Sequence, residues 1–238
     1  MKNFACTLLL LLLSGCGGGG STTTTNSYSP SRPKLGEQRI LNVVVVDNSD
    51  NTITMSGGLR MKITAVNSDG SYTYREDDPT HSSGTVNGTD YHTQTTDITS
   101  NSAGQTTSVT WIADGSTCTF TFSPHGEGPT YPVSIGSTWS STWTKTCGAG
   151  APVTFTQTGR VGEVESVVVP AGTFAALHLS STTVSTDAAG TTRTVTTETY
   201  KRANDLMPVK TKSTYTYSGV MPVNGYPITI SHELQSYQ

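Results

Sequence analysis

The sequence predicts an all-β domain folded as a strongly curved antiparallel meander, an open barrel-like sheet, with a β-sandwich as the alternative. Three observations lead there. Apolar and polar residues alternate with period two from Ile40 onward, and no stretch keeps a helical period. Turn signals interrupt the alternation at hairpin intervals: DNSDN at 47–51, Asp69-Gly70, Asp114-Gly115, Pro170-Ala171-Gly172 and DAAG at 187–190. Hydrophobic residues make up 33% of the chain and charged residues only 13%, with threonine and serine filling the difference. That composition fits neither a disordered polyelectrolyte nor a helical bundle. Roughly a dozen strands with one apolar face each must curl or split to bury it.

The elements follow in order. Leu41, Val43 and Val45 open the first strand, and DNSDN turns it into TITM. Met61, Ile63 and Ala65 alternate along the next. Asp69-Gly70 then supplies a positive-φ pair, and the chain returns through Tyr72 and Tyr74. From Arg75 to Gly104 the sequence is polar and turn-rich and gives no firm strand. Asp114-Gly115 repeats the tight turn between SVTWIA and TCTFTF. Pro170-Ala171-Gly172 predicts a three-residue hairpin with a bulge between TGRVGEVESVVV and TFAALHLSS. KRANDL suggests a short helical turn before Val209. On VKTKSTYTY, Val209, Tyr215 and Tyr217 share one face, with Lys210 and Lys212 opposite. Ile228, Ile230 and Leu234 point inward on the final strand, and Thr229, Ser231 and Glu233 outward.

Curvature without a covering helix leaves room for a ligand cavity lined by Trp111, Trp139, Trp143, Tyr215, Tyr217 and His232. A solid core is the other outcome. In TCTFTF, Cys118 shares a face with Phe120 and Phe122; in STWSSTWTKTC, Cys147 shares one with Trp139 and Trp143. Two core-facing cysteines in an exported chain point to a Cys118–Cys147 disulfide. Closing that loop would contribute about 3.5 kcal/mol in the chain-entropy model. A metal-binding thiol pair is the alternative, though no CxxC and no histidine at ligand spacing accompanies it.

At the N-terminus, Lys2 and the apolar run Leu8 to Leu13 form a secretory signal, well short of the about 20 residues a membrane span needs. Leu13-Ser14-Gly15-Cys16 resembles the bacterial lipobox. The resemblance implies cleavage after residue 15, loss of Cys6 with the signal, and acylation of Cys16. A simple secretory signal with an incidental cysteine is the alternative. Several acyl chains at about 0.8 kcal/mol per buried methylene hold a protein durably on a bilayer. Gly17 in place of aspartate implies sorting to the outer membrane, with the periplasmic face favoured over the cell surface. Residues 16–36 then read as a flexible Gly/Ser/Thr linker with some 25 Å of reach, and 37–238 as the β domain. The formal net charge of −3 becomes one unit more negative once Lys2 is lost. No basic patch carries interleaved aromatics, which excludes nucleic acid as a partner.

From Tyr131 to Tyr217 the chain resembles a group of exported bacterial lipoproteins. The resemblance rests on Pro132, Gly136 and Trp139 in a P-x-x-x-G-x-x-W pattern, on the V-P-A-G-T-F hairpin at Val169 to Phe174, and on the Val209-Lys210 step. It implies a curved sheet similar to that of lipoprotein-localisation factors, which carry acyl chains in their concavity. ETYKRANDLMPVK departs from the Trp-Tyr pair and glycine usual in the group, so no ligand-binding residue carries over.

Catalytic signals are sparse. Gly-x-Ser-x-Gly is absent, and the histidines are His81, His92, His125, His178 and His232. His178 alternates with Phe174 and Ala176. His232 lies in the inward apolar series, where Tyr215 or a threonine should hydrogen-bond it. DNSDN (Asp47, Asp50) and REDDPTH (Glu76, Asp77, Asp78, His81) offer hard oxygen ligands for calcium, but such residues also build turns. HGEG at His125 reads as a loop. The expectation is therefore a non-enzymatic lipoprotein without cofactor or metal, anchored to the outer membrane, that binds a hydrophobic ligand or an envelope partner or supports the envelope. A surface adhesion or assembly module is one alternative. The other is a hydrolase acting on envelope polymers, which needs His178 or His232 beside a serine or carboxylate.

Overall fold

A computed structural model describes residues 26–78, 83–86, 89–90, 95–113, 116–147, 151–220 and 227–238. The signal, Cys16, His81, His92 and the Asp114-Gly115 turn lie outside the described residues. Alternation becomes strand wherever it was read. In chain order these are β1 (Ser27–Tyr28), β2 (Gln38–Asp47), β3 (Ile53–Val66), β4 (Tyr72–Asp77), β5 (Ser83–Val86), β6 (Thr89–Asp90), β7 (Thr95–Ser100) and β8 (Thr106–Ala113). There follow β9 (Ser116–Ser123), β10 (Val133–Ser134), β11 (Thr138–Cys147), β12 (Val153–Val169), β13 (Gly172–Thr186), β14 (Thr191–Arg202), β15 (Pro208–Gly219) and β16 (Ile228–Tyr237).

Twelve of these strands form a closed antiparallel barrel in which every neighbour but one is the next barrel strand in sequence, β1, β5, β6 and β10 lying outside the ring. The exception is the seam, where β2 pairs with β16 from Ile228↔Asp47 to Tyr237↔Arg39. The meander is thus closed rather than open, because the first and last long strands find each other and leave the ring without an edge. β5 and β6 form a side hairpin on β3.

Register sorts the side chains into two sets. Leu41, Val43, Val45, Met55, Leu59, Ile228 and Leu234 all turn inward and are at most 6% exposed. Ion pairs occupy the outer face: Arg60 with Asp77, Arg75 with Asp97, and Lys210 with Glu233 at 2.7 Å.

The β12–β13 hairpin is the longest, and a bulge between Val161 and Val164 bends it. Beyond the bend, Val167, Val169, Phe174 and Ala176 pack on Leu41, Met207, Val209 and Leu234. The Ala171 N–H donates to the Leu234 carbonyl at 3.0 Å, pinning the tip to β16. Val169 pairs with Gly172, so the turn is the two-residue Pro170-Ala171 rather than a three-residue loop. A second apolar cluster joins Val133, Val161, Leu177, Leu179 and Leu206 with Tyr28, Tyr131 and Trp139.

Local details refine several expectations. Asp69-Gly70 is not a positive-φ pair: only Gly70 is left-handed, at φ 85°. Its N–H donates to the Asn67 carbonyl across a four-residue turn. Asn101–Gly104 and Asp187–Gly190 repeat that turn, with φ of 77° and 87° at the glycine. The polar stretch 75–104 contains β7, a barrel strand whose buried apolar residue is Ile98. KRANDL makes a single turn, with the Leu206 N–H donating to the Arg202 carbonyl at 2.7 Å. The chain engages the barrel upstream of residue 37, since β1 pairs with β10 and the Ser31 N–H reaches the Asp205 carbonyl.

Candidate functional site

Strand register places Trp111 on β8, Trp139 and Trp143 on β11, Tyr215 and Tyr217 on β15 and His232 on β16 all on the lumen face. They do not play one part. Trp143 is 4% exposed and stacks on Phe155 at 5.6 Å, so it belongs to the packed wall. Trp139 lies over Gly159, where a Cβ would collide with the indole. Its Nε1–H donates to Gln157 Oε1 at 3.0 Å, and Gln157 Nε2 donates to Thr183 Oγ1. His232 faces Thr211 and Val43 across the strands, and burial pulls its pKa down to about 4. Tyr215 faces Ile228 instead, so it is not the cross-strand neighbour of the histidine. Tyr215 and Tyr217 are half-buried, as are Phe120 and Phe122.

Charged groups share this lumen. Lys145 on β11 stands in phase with Trp139 and Trp143, and Arg193 and Lys201 on β14 stand in phase with Val195. Each rests on an aromatic ring: Lys145 Nζ is 3.7 Å from the Phe120 centroid, Arg193 5.5 Å from Phe155, and Lys201 5.3 Å from Tyr131. Lys201 also donates to the Tyr131 hydroxyl at 2.8 Å.

The β9–β10 loop brings in the opposite charge. The Gly126 N–H donates to the Thr106 carbonyl and the Gly128 N–H to Gln157 Oε1 at 2.9 Å, which holds Glu127 between them. Glu127 is within electrostatic range of Lys145, Arg193, Lys201, Tyr74 and Tyr215. A position at the mouth of the ring or within it meets β4, β11, β14 and β15 together. Burial raises the Glu127 pKa while Lys201, Arg193 and Lys145 oppose the rise. Burial also lowers the pKa of Lys145, reinforced by Arg193. Glu127 is nonetheless an exposed residue, so solvent reaches the loop that carries it. On the opposite wall, burial lifts Glu76 to about 7 against the pull of Arg39.

The sequence contained a signal for part of this set. The alternation that turned Trp139 and Trp143 inward turns Lys145 inward as well. Glu127 had none, because a loop carries no period.

Other candidates separate. Glu76 and Asp77 are consecutive on β4, so alternation sends one to the lumen and the other outward to Arg60. Asp47 and Asp50 accept from Ser49 and Thr52 and serve as turn caps. His125 bonds Gln105 and the Gly126 carbonyl within the loop that carries Glu127.

His178 lies on the outer face of β13, stacked on Tyr200 at 4.6 Å. Nε2 bonds Glu198 and Nδ1 is 3.3 Å from Glu165. The carboxylate that a hydrolase needs is therefore present, but each ring nitrogen faces an acid rather than a serine hydroxyl. A shallow groove of about 660 Å³ runs beside it, lined by Thr138, Ser140, Thr158, Arg160, Thr182 and Glu198 among others. Cys118 on β9 and Cys147 on β11 belong to paired strands and, by register with Phe120, to one face.

No family model and no curated protein matches the chain. Two solved structures are similar in outline. One, from Bacteroides fragilis NCTC 9343, is described as an exported protein with a YmcC-like fold; it shares 12% identity at a TM-score of 0.45, over 89% of this chain and 99% of that one. The other, described as a lipoprotein from Parabacteroides distasonis ATCC 8503, shares 9% identity at a TM-score of 0.43 over the same fractions.

Proposed function

We propose that this is a non-enzymatic envelope lipoprotein, anchored through Cys16 to the periplasmic face of the outer membrane, whose barrel lumen holds a hydrophobic ligand. The observation that carries the reading is the lumen: Phe120, Phe122, Tyr215 and Tyr217 face inward and are only half-buried, and Glu127, an exposed residue, lies within electrostatic range of Tyr215. Apolar surface that solvent can reach inside a closed wall is what a preformed ligand site presents. An adhesion module working through strand edges would have to use β1, β6 or β10, which lie outside the closed ring. The Cys118–Cys147 disulfide belongs to the same proposal. Its support is the shared face of β9 and β11, and Cys118 is not a free thiol.

Native mass spectrometry of the full chain, exported with Cys16→Ser and purified without detergent, tests the function. A reproducible bound mass that extracts into organic solvent is expected. A clean unliganded mass across several preparations would remove the ligand-carrying reading. The same substitution should release the protein from the membrane fraction and abolish acyl labelling.

A further inference from the structure

Apart from Glu76 and Arg39 on the opposite wall, three cations surround a single carboxylate in the lumen, which needs an explanation that a carrier of purely apolar molecules does not supply. Burying a charge is costly unless it is paired. The outer face respects that rule, since Arg60, Arg75 and Lys210 each sit on a carboxylate. The lumen does not. Among the described residues Lys145, Arg193 and Lys201 form no ion pair within 4.0 Å and lie against aromatic faces instead. Ring quadrupoles attract a cation without neutralising it, so the interior keeps an excess of positive charge around Glu127.

We infer that the lumen selects an anionic amphiphile, whose carboxylate or phosphate head is captured among Lys145, Arg193 and Lys201 and whose apolar body lies along Phe120, Phe122, Tyr215 and Tyr217. This rests on the lumenal-ligand reading above and deepens it. Charge complementarity fixes the sign of the head, and a head of one or two negative charges brings the local balance close to neutral. The half-buried aromatics supply the surface for the body. Glu127 competes with the ligand for the same cations, so its loss strengthens binding rather than weakening it.

Two fluorescent probes with nearly the same ring system separate the possibilities in the full Cys16→Ser chain: anionic 8-anilinonaphthalene-1-sulfonate and uncharged N-phenyl-1-naphthylamine. The expected result is anion binding at least about tenfold tighter than neutral binding and weakened by salt. Lys145→Met with Arg193→Met should reduce the preference to near unity while leaving the neutral probe's affinity intact. Glu127→Gln should tighten anion binding several-fold, a gain that misfolding cannot mimic. Equal affinity for both probes, or no gain from Glu127→Gln, would overturn the anionic head while leaving a lumenal apolar site standing. Failure of both probes to bind would remove that site and the inference with it. Competition then tests the amphiphile: dodecanoate and dodecyl phosphate should displace the anionic probe where acetate and inorganic phosphate do not. Equal displacement by the free anions would overturn the apolar body.

Discussion

Glu76 and His232 both face the lumen, and burial shifts their pKa values so that each favours its neutral form. Their effects on stability have opposite signs. His232 stays neutral in the fold down to about pH 4, whereas the unfolded chain takes the proton near 6.5, so acidification across that window destabilises. Glu76 holds its proton in the fold up to about pH 7 but near 4.5 when unfolded, so stability falls as pH rises between those values. Each contribution is at most about 3 kcal/mol, and less where solvent enters the lumen. Between pH 4.5 and 6.5 they oppose each other. Thermal melts against pH should therefore show Glu76→Gln losing stability on acidification and His232→Gln gaining it, with the parent chain flatter than either. Parallel curves would mean that neither group titrates differently on folding. Alternation marked His232 as inward from the sequence alone. It could not mark Glu76, whose neighbours Asp77 and Asp78 made it look like part of a polar turn.

At the level of the element, the same Gly→Ala change should meet two different obstacles. Gly190 closes a hairpin at φ 87°, and the nearest atom to an added Cβ is 3.9 Å away. Gly190→Ala should cost about 1 kcal/mol, all of it backbone conformation. Gly159 lies in β12 under the Trp139 ring, which an added methyl would displace. Gly159→Ala should cost about 1–3 kcal/mol through overpacking and, unlike Gly190→Ala, should shift the tryptophan emission. Chemical denaturation with fluorescence readout checks both. The turns ending at Gly70 and Gly190 were legible from Asp69-Gly70 and DAAG, whereas Asn101–Gly104 lay hidden in the polar stretch 75–104. β7 was not, since Ile98 is its one buried apolar residue and threonine supplies most of the rest. The bend in the β12–β13 hairpin was equally hidden, because an extra residue in one strand shows only when the partner strand is aligned with it.

For the whole molecule, the proposed disulfide should matter most. Reduction of Cys118–Cys147, or its removal by a double serine substitution, should lower stability by up to about 3.5 kcal/mol. Thiol alkylation should find neither cysteine free before reduction, and an accessible thiol in the native protein would sink the pairing. The sequence made curvature legible through the number of one-faced strands. Closure was not legible, because nothing local in β2 or β16 says that they meet. The seam is made by residues as far apart as Gln38 and Gln238, whose backbones exchange hydrogen bonds at 2.9 and 3.1 Å. Every other pairing in the ring can zip from a neighbouring hairpin, but this one must close a loop of nearly the full chain. Until it does, β2 and β16 each present a bare edge able to recruit another copy. The hazard for this protein therefore lies in its assembly: the interval before β16 docks is when it is most exposed to aggregation, and when a chaperone would have most to protect.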